Sequence, residues 1–587
     1  MHGPAPKDTQ QMWLPRETAT PSARRYEVAT RHAGCLGERS VSLESLDGRE
    51  SIEPRSRSVI TRAEWFGSEA RPLLAWVTAQ PGAGASTVVI VPPIAYEHCS
   101  SHRTLRTLAE TLAARGHRVV RFDYDGTGDS SGERWDPDRV GAWRRSLAAI
   151  VARCREAGAA RVTVVGLRLG ATFALVDGAQ LGADSIVAWV PIASGKRFAR
   201  EVRLMGVTHP SNDAVCYAGV GFDAETVAAL SALDIEKLAS KPAPRVLVVA
   251  RPEQPCDDLV ARLASLGVDV TSDALPGVAT VLDVPAEDAV VPFAIVERIA
   301  EWIGRAPHAP ALHGAARAPH TSIAWRGKAL TESVETIAGL VAIKTAPASH
   351  DGATVVFLNS GSEPHIGPGR AWVEYARTLA AAGHTALRID WSGFGESVDR
   401  GRAPARPYDA HCIHETVAVV EELRRRRTGP IVLAGLCAGA WTALHVAQLI
   451  AIDGVVAFNP QLYWEPGDPV EALLADTRKR RTASGERAAI AEGAASGRWD
   501  ALDIAGDRPM ASRWLDALGE RATRVLMFFA KGDDGIEYLR LRCGRRLAAS
   551  LAAGWLRVEE ADDLDHQMYR EWRRDHVAAR VLDFLSP

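Results

Sequence analysis

One cysteine of this chain stands where a side chain could react. The stretch Ile431-Val432-Leu433-Ala434-Gly435-Leu436-Cys437-Ala438-Gly439 runs from aliphatic, β-prone residues into a helix-like segment. A strand that enters a helix through Gly-x-nucleophile-x-Gly makes a sharp turn, and small flanking residues let the middle residue take a strained backbone conformation. Its side chain is then lifted clear of the sheet at a helix N-terminus, where the dipole favours an anion and free N–H groups can face a developing oxyanion. A near copy, Val162 to Thr172, carries Arg168 where the other carries Cys437.

Cysteine rather than serine at such a turn selects a chemistry. The thiolate is the nucleophile, and a helix N-terminus with a paired histidine raises its fraction. An acylated cysteine is a thioester, so accepting an acyl group from another thioester is close to neutral in energy. The group stays activated for a second transfer. This favours exchange among thioesters without excluding hydrolysis.

The elements that must position Cys437 occur twice. Residues 108–132, LAETLAARGHRVVRFDYDGTGDSSG, read against residues 375–399, YARTLAAAGHTALRIDWSGFGESVD. Each has an amphipathic helix ending in Ala-x-Gly-His, then a strand, then Asp-x-x-Gly-x-Gly, and the two elbows are spaced to match. An internal repeat on this scale predicts two whole domains in tandem. In the second copy strands are expected at 355–359, 385–390, 431–435, 454–459, 524–530 and 555–560, with helices between them. Short β-rich runs alternating with helices imply an α/β fold, a mainly parallel sheet covered on both faces. The Pro/Ala/His-rich stretch from 305 to 324 is expected to link domains spanning 59–304 and 325–587. A charged, helix-prone insertion at about 460–521 interrupts the alternation where a lid would sit, and residues 1–58 read as an irregular arm.

With these motifs in place, both halves resemble the α/β-hydrolase superfamily. Gly435-Leu436-Cys437-Ala438-Gly439 matches its elbow, and Asp390 to Ser397 matches a strand-end segment common in the fold. The resemblance implies the chain order nucleophile, acid, histidine. Asp533, preferred over the adjacent Asp534, follows the strand after the insertion, and His566 follows the last strand. The resemblance also implies oxyanion donors from the backbone N–H of Ala438 and of Ser360 or Gly361. Histidines 365, 411, 414, 445 and 576 do not fit that order.

In the first copy Arg168, Gln254 and Val284 fall opposite Cys437, Asp533 and His566. Arginine does not deprotonate near neutral pH and valine is no base, so that copy is expected to be inactive. Arg168, at a helix N-terminus with no acid in its own motif, is a candidate anion-binding residue, for instance for a phosphate; its alternative is pairing with a carboxylate elsewhere in the fold.

Cysteine elbows in this superfamily serve lactone hydrolysis and the acyl and aminoacyl shuttles of carrier proteins. The resemblance therefore implies acyl transfer through acyl-Cys437, with an acyl thioester or ester as substrate and a phosphopantetheinyl carrier protein as a candidate partner. Thioester, ester or lactone hydrolysis by the same residues is the alternative, and a non-catalytic scaffold that binds acyl carriers is the second. Composition limits the rest. A formal net charge of −3, with 47% hydrophobic and 24% charged residues, is that of a globular protein without a footprint for nucleic acid or an anionic membrane. Ile431 to Ile452 lacks charged residues, but its glycines argue for a buried strand–turn–helix rather than a membrane span. The first residues, apolar ones among charges and prolines, are not expected to form a secretion signal, and eight scattered cysteines without a CxxC suit a reducing cytoplasm. No metal or other cofactor is implied.

Overall fold

The computed structural model describes residues 59–83, 85–307, 320–349, 352–399, 406–462 and 510–586. The expected arm at 1–58 and most of the expected lid, 463–509, lie outside them. Twenty strands can be assigned among the described residues. The first sheet contains β1 (Ile60–Gly67), β2 (Pro72–Ala79), β3 (Ser86–Val91), β4 (Arg118–Phe122), β5 (Arg161–Leu167) and β6 (Ser185–Trp189). Three short strands, β7 (Val207–Thr208), β8 (Val215–Tyr217) and β9 (Val220–Phe222), form a separate small sheet, and β10 (Arg245–Ala250) and β11 (Asp269–Ala274) complete the large one. The second large sheet comprises β12 (His320–Trp325), β13 (Lys328–Ile337), β14 (Leu340–Ala346), β15 (Thr354–Phe357), β16 (Thr385–Ile389), β17 (Ile431–Leu436), β18 (Gly454–Phe458), β19 (Arg524–Ala530) and β20 (Leu556–Ala561).

The two large sheets share one order. The first runs β1-β2-β4-β3-β5-β6-β10-β11, and the second runs β13-β14-β16-β15-β17-β18-β19-β20 with β12 added outside β13. In both, the strands nearest the chain's entry are antiparallel and the rest parallel. The central strands, such as Ile431–Leu436, are buried throughout, as they must be when helices cover both faces. These are two α/β-hydrolase-like domains.

Two expectations change. The segment from His320 does not belong to a linker: it forms β12, paired antiparallel with β13 from His320–Ser333 to Trp325–Lys328. Its alternation buries Ile323 and Trp325 and leaves His320 and Ala324 exposed, a period-two signal masked by the proline- and alanine-rich residues before it. The antiparallel strands at the start of each domain were likewise not anticipated. Within the expected lid, Met510–Glu520 is a helix whose Trp514, Leu515 and Leu518 pack into the main core.

The domains meet over a buried polar interface. The Asp-x-x-Gly-x-Gly segments face each other, and each sends a carboxylate across. Asp129 of the first domain accepts from Arg388 and lies 2.7 Å from His365 Nε2. Glu396 of the second accepts from Arg121 at 2.8 and 2.7 Å and lies 2.9 Å from His102 Nε2. Asp129 and Glu396 occupy equivalent places in the two segments, as do Arg121 and Arg388, so the contact is a pseudo-twofold one, made by the same residue positions in both directions. An apolar patch beside it joins Trp65, Leu74 and Trp76 to Ile323 and Ile343.

Candidate active site

The elbow takes the strained conformation its glycines allow. Cys437 has φ 54 and ψ −109 and caps the helix Ala438–Leu449, and it is half-buried with a free thiol. A β-carbon on Gly435 would lie 2.3 Å from the backbone of Gly439, so only glycine lets the strand turn this tightly into the helix. A β-carbon on Gly439 would lie 2.6 Å from the Asn359 carbonyl oxygen. The helix N-terminus therefore sits directly against the loop that follows β15. That closeness brings the Ala438 N–H, which has no intrahelical partner at the first helical position, beside the loop holding Ser360 and Gly361. Gly361 is in the left-handed region at φ 53.

Asp533 and His566 meet at this end of the sheet. Asp533 follows β19 and caps the helix Asp534–Ala552; its Oδ1 accepts from Gly535 N at 2.9 Å and its Oδ2 lies 2.8 Å from His566 Nδ1. It is Asp533, then, that holds the imidazole. Burial opposes a charged ring at His566, but the neighbouring Asp533 carboxylate and Cys437 sulfur outweigh it. The pKa of His566 is raised well above its ordinary value. Cys437, His566 and Asp533 are thus brought together.

Two residues around this group were missed from sequence. Asn459, buried at the end of β18, accepts from Ala530 N at 2.7 Å and donates to the His566 carbonyl at 2.9 Å, tying the acid's strand to the histidine's loop. The matching residue of the first domain is Val190, with a similar backbone (φ 45 against 42), so a polar residue on one copy of an apolar strand end was the available signal. Tyr408 has no such signal. It lies in a loop far from the elbow in sequence, at φ 66, with its hydroxyl 3.0 Å from Cys437 Sγ and 3.0 Å from Gln461 Oε1.

In the first domain the elbow is intact but its chemistry is replaced. Arg168 has φ 54 and ψ −116, nearly the backbone of Cys437. Its Nε donates to Glu97 Oε1 at 2.6 Å, with Glu201 3.6 Å away, and the side chains are only 14% and 12% exposed at the Arg168–Glu97 pair. The expected anion site at Arg168 is corrected accordingly: Glu97, in the first turn of the helix Tyr96–Ala114, already supplies the anion, and the second reading of this arginine is the one realised. Breaking a buried pair strands the remaining charge. Arg168→Ala is expected to cost about 3 kcal/mol of stability in denaturant unfolding and to leave reaction at Cys437 unchanged. Lost affinity for a phosphate-bearing substrate at unchanged stability would restore the anion site.

One family match agrees with the architecture of the second domain. Residues 355–584 match the family described as the alpha/beta hydrolase family. The match covers most of the second domain and supports the α/β-hydrolase superfamily there, with a hydrolase-type enzyme as the coarse class. Among solved structures, Est1E from Butyrivibrio proteoclasticus with bound ferulic acid is 17% identical, covering 41% of this chain and 98% of its own, at a TM-score of 0.34. TT1662 from Thermus thermophilus is 18% identical over 44% of this chain and 99% of its own, at 0.29. Brefeldin A esterase, described as a bacterial homologue of human hormone sensitive lipase, is 20% identical over 45% and 80%, also at 0.29. No curated protein sequence matches. No helix among the described residues is long and apolar enough to cross a membrane.

Proposed function

We propose that the C-terminal domain is an acyl-transfer enzyme working through acyl-Cys437. The observation that carries this reading is a cysteine at the strained elbow, at the same end of the sheet as an imidazole held by Asp533. The Cys437 thiolate attacks the carbonyl carbon of an acyl thioester or ester, and the carbonyl electrons move to an oxyanion facing the N–H groups of Ala438 and of Ser360 or Gly361. Collapse expels the thiolate or alkoxide, which takes the proton from His566. In the second half an acceptor thiol, alcohol or amine gives its proton to His566 and attacks the thioester, releasing Cys437. Water as acceptor makes the same cycle a hydrolysis. A phosphopantetheinyl carrier is the acceptor or donor this reading favours, because its terminal thiol exchanges acyl groups with cysteine at little cost in energy.

The test is intact-mass spectrometry after incubation with short acyl thioesters, followed by peptide mapping. One acyl group on the peptide containing Cys437 supports the reading; no adduct with any activated donor favours a scaffold. Transfer to added thiol, against release of free acid, separates transferase from hydrolase.

Asp533 and Tyr408 give two further expectations. The raised pKa of His566 moves loss of its ring proton to higher pH. Asp533→Asn removes the first of the influences that raise it, so the alkaline limb of the rate profile should move to lower pH. An unshifted limb would remove Asp533 from the site. Tyr408 has a single O–H, which can face either Gln461 or the sulfur. A hydrogen bond donated to a thiolate is charge-assisted, so Tyr408→Phe should slow alkylation of Cys437 by iodoacetamide about 10-fold at neutral pH. An unchanged rate would make the contact one of packing only.

A further inference from the structure

The loop from Asn359 to Arg370 carries the proposed oxyanion donors, and it is fastened from two sides. Its own domain holds the start: Asn359 Nδ2 donates to Asp390 Oδ1 at 2.9 Å, Trp391 N donates to Asn359 Oδ1 at 2.9 Å, and His365 N donates to Asp390 Oδ1 at 2.7 Å. The other domain holds the rest. His365 bridges the two with Nδ1 2.6 Å from Asp390 and Nε2 2.7 Å from Asp129. Arg370 donates to the carbonyls of Gly128, Ser130 and Gly132 at 2.9, 2.7 and 3.0 Å. Asp129 is itself fixed, with its N–H on Asp123, its carbonyl accepting from Arg377 at 2.7 Å and its other carboxylate oxygen accepting from Arg388. Asn359, His365, Arg370, Asp390 and Asp129 are all buried, His365 at 3% exposure.

We infer that Asp129, in the domain without a triad, is a positioning residue for the active site: through His365 it sets the oxyanion loop at Ser360 and Gly361. The physical reason is satisfaction of a buried ring. An imidazole between two carboxylates offers both nitrogens as donors, and a buried donor left without an acceptor is expensive enough to move a loop. Burial alone would favour the neutral ring, and the two carboxylates reverse that preference. The degenerate domain is therefore part of the catalytic apparatus rather than a cover for it. Its elbow has lost its chemistry, while its Asp-x-x-Gly-x-Gly segment has kept a function in the neighbouring site.

The pseudo-twofold interface supplies a matched control. Asp129→Asn leaves one acceptor where Arg388 and His365 converge. Glu396→Gln does the same where Arg121 and His102 converge, on the side that carries no oxyanion loop. The kinetic arm rests on the acyl-cysteine reading; a structural arm does not. In the full chain, Asp129→Asn should slow acylation of Cys437 by a short acyl thioester by about 10-fold or more, toward the loss seen when an oxyanion donor is removed. Alkylation by iodoacetamide, which needs the thiolate but no oxyanion hole, should stay within about twofold of the parent. Amide hydrogen exchange in residues 359–370 should rise in Asp129→Asn and stay at the parent level in Glu396→Gln. His365→Gln, reached from the other side of the same contact, should reproduce both effects if Asp129→Asn does not fold. Should the parent itself form no acyl adduct, the acyl reading fails and the exchange measurement alone decides the inference. Parent-like exchange in Asp129→Asn, or equal loss of protection and rate in Glu396→Gln, would overturn it.

Discussion

Cys437→Ala is expected to carry no acyl group after exposure to any thioester and to lose kcat/KM by about 10⁴-fold or more, and His566→Gln to lose a similar amount. The size follows from the division of labour. Without the sulfur no covalent intermediate forms, and what remains is the contribution of bound substrate and oxyanion donors to attack by water. Without the imidazole the thiolate loses its partner and the leaving group its proton. The informative quantity is the double variant. Groups that act as one unit are non-additive, so Cys437→Ala with His566→Gln should fall little below the worse single variant. Multiplied losses would mean that the two residues act in separate steps or at separate sites, and the coupling between sulfur and ring would then have no catalytic meaning.

What could be read from sequence follows from how local each feature is. The elbow was legible because its constraint is written within five residues: Gly435 and Gly439 are required by clashes with backbone at most five positions away or in the adjacent loop. The parallel strands were legible because burial on both faces leaves unbroken aliphatic runs. Strand β12 was not, since six residues of alternation follow a biased stretch that dominates any longer window. The acid and histidine came from chain order, and order alone could not show Asn459, whose work is to join a strand end to a loop through one amide. Contacts between domains were the least legible. His365 was set aside because it precedes the elbow and cannot be the triad base, and its partner Asp129 is 236 residues away. The pairing of Arg168 with Glu97 spans 71 residues. In both cases the residue types were visible and only the fold supplied the distance.

Gly439→Ala should lower acylation of Cys437 by about 100-fold, the loss that roughly 1 Å of misplacement can cause, and should destabilise the fold by about 2 kcal/mol, a usual cost of overpacking. The added β-carbon would lie 2.6 Å from the Asn359 carbonyl and 3.3 Å from that of Leu358, both backbone atoms of fully buried residues. Neither can swing aside as a side chain would. The helix Ala438–Leu449 must back away, and the Ala438 N–H retreats from the loop that holds Ser360 and Gly361, widening the space in which an oxyanion would be held. The first domain again provides the comparison. A β-carbon on Gly170 would lie 2.3 Å from the Val91 carbonyl, the same crowding at the equivalent turn with Arg168 in place of the cysteine. Gly170→Ala should therefore cost similar stability, read by denaturant unfolding, and leave acylation at the parent rate. Equal kinetic losses in the two variants would show that the effect travels through global stability, whereas a loss confined to Gly439→Ala would tie the rate to the gap between one helix end and one loop.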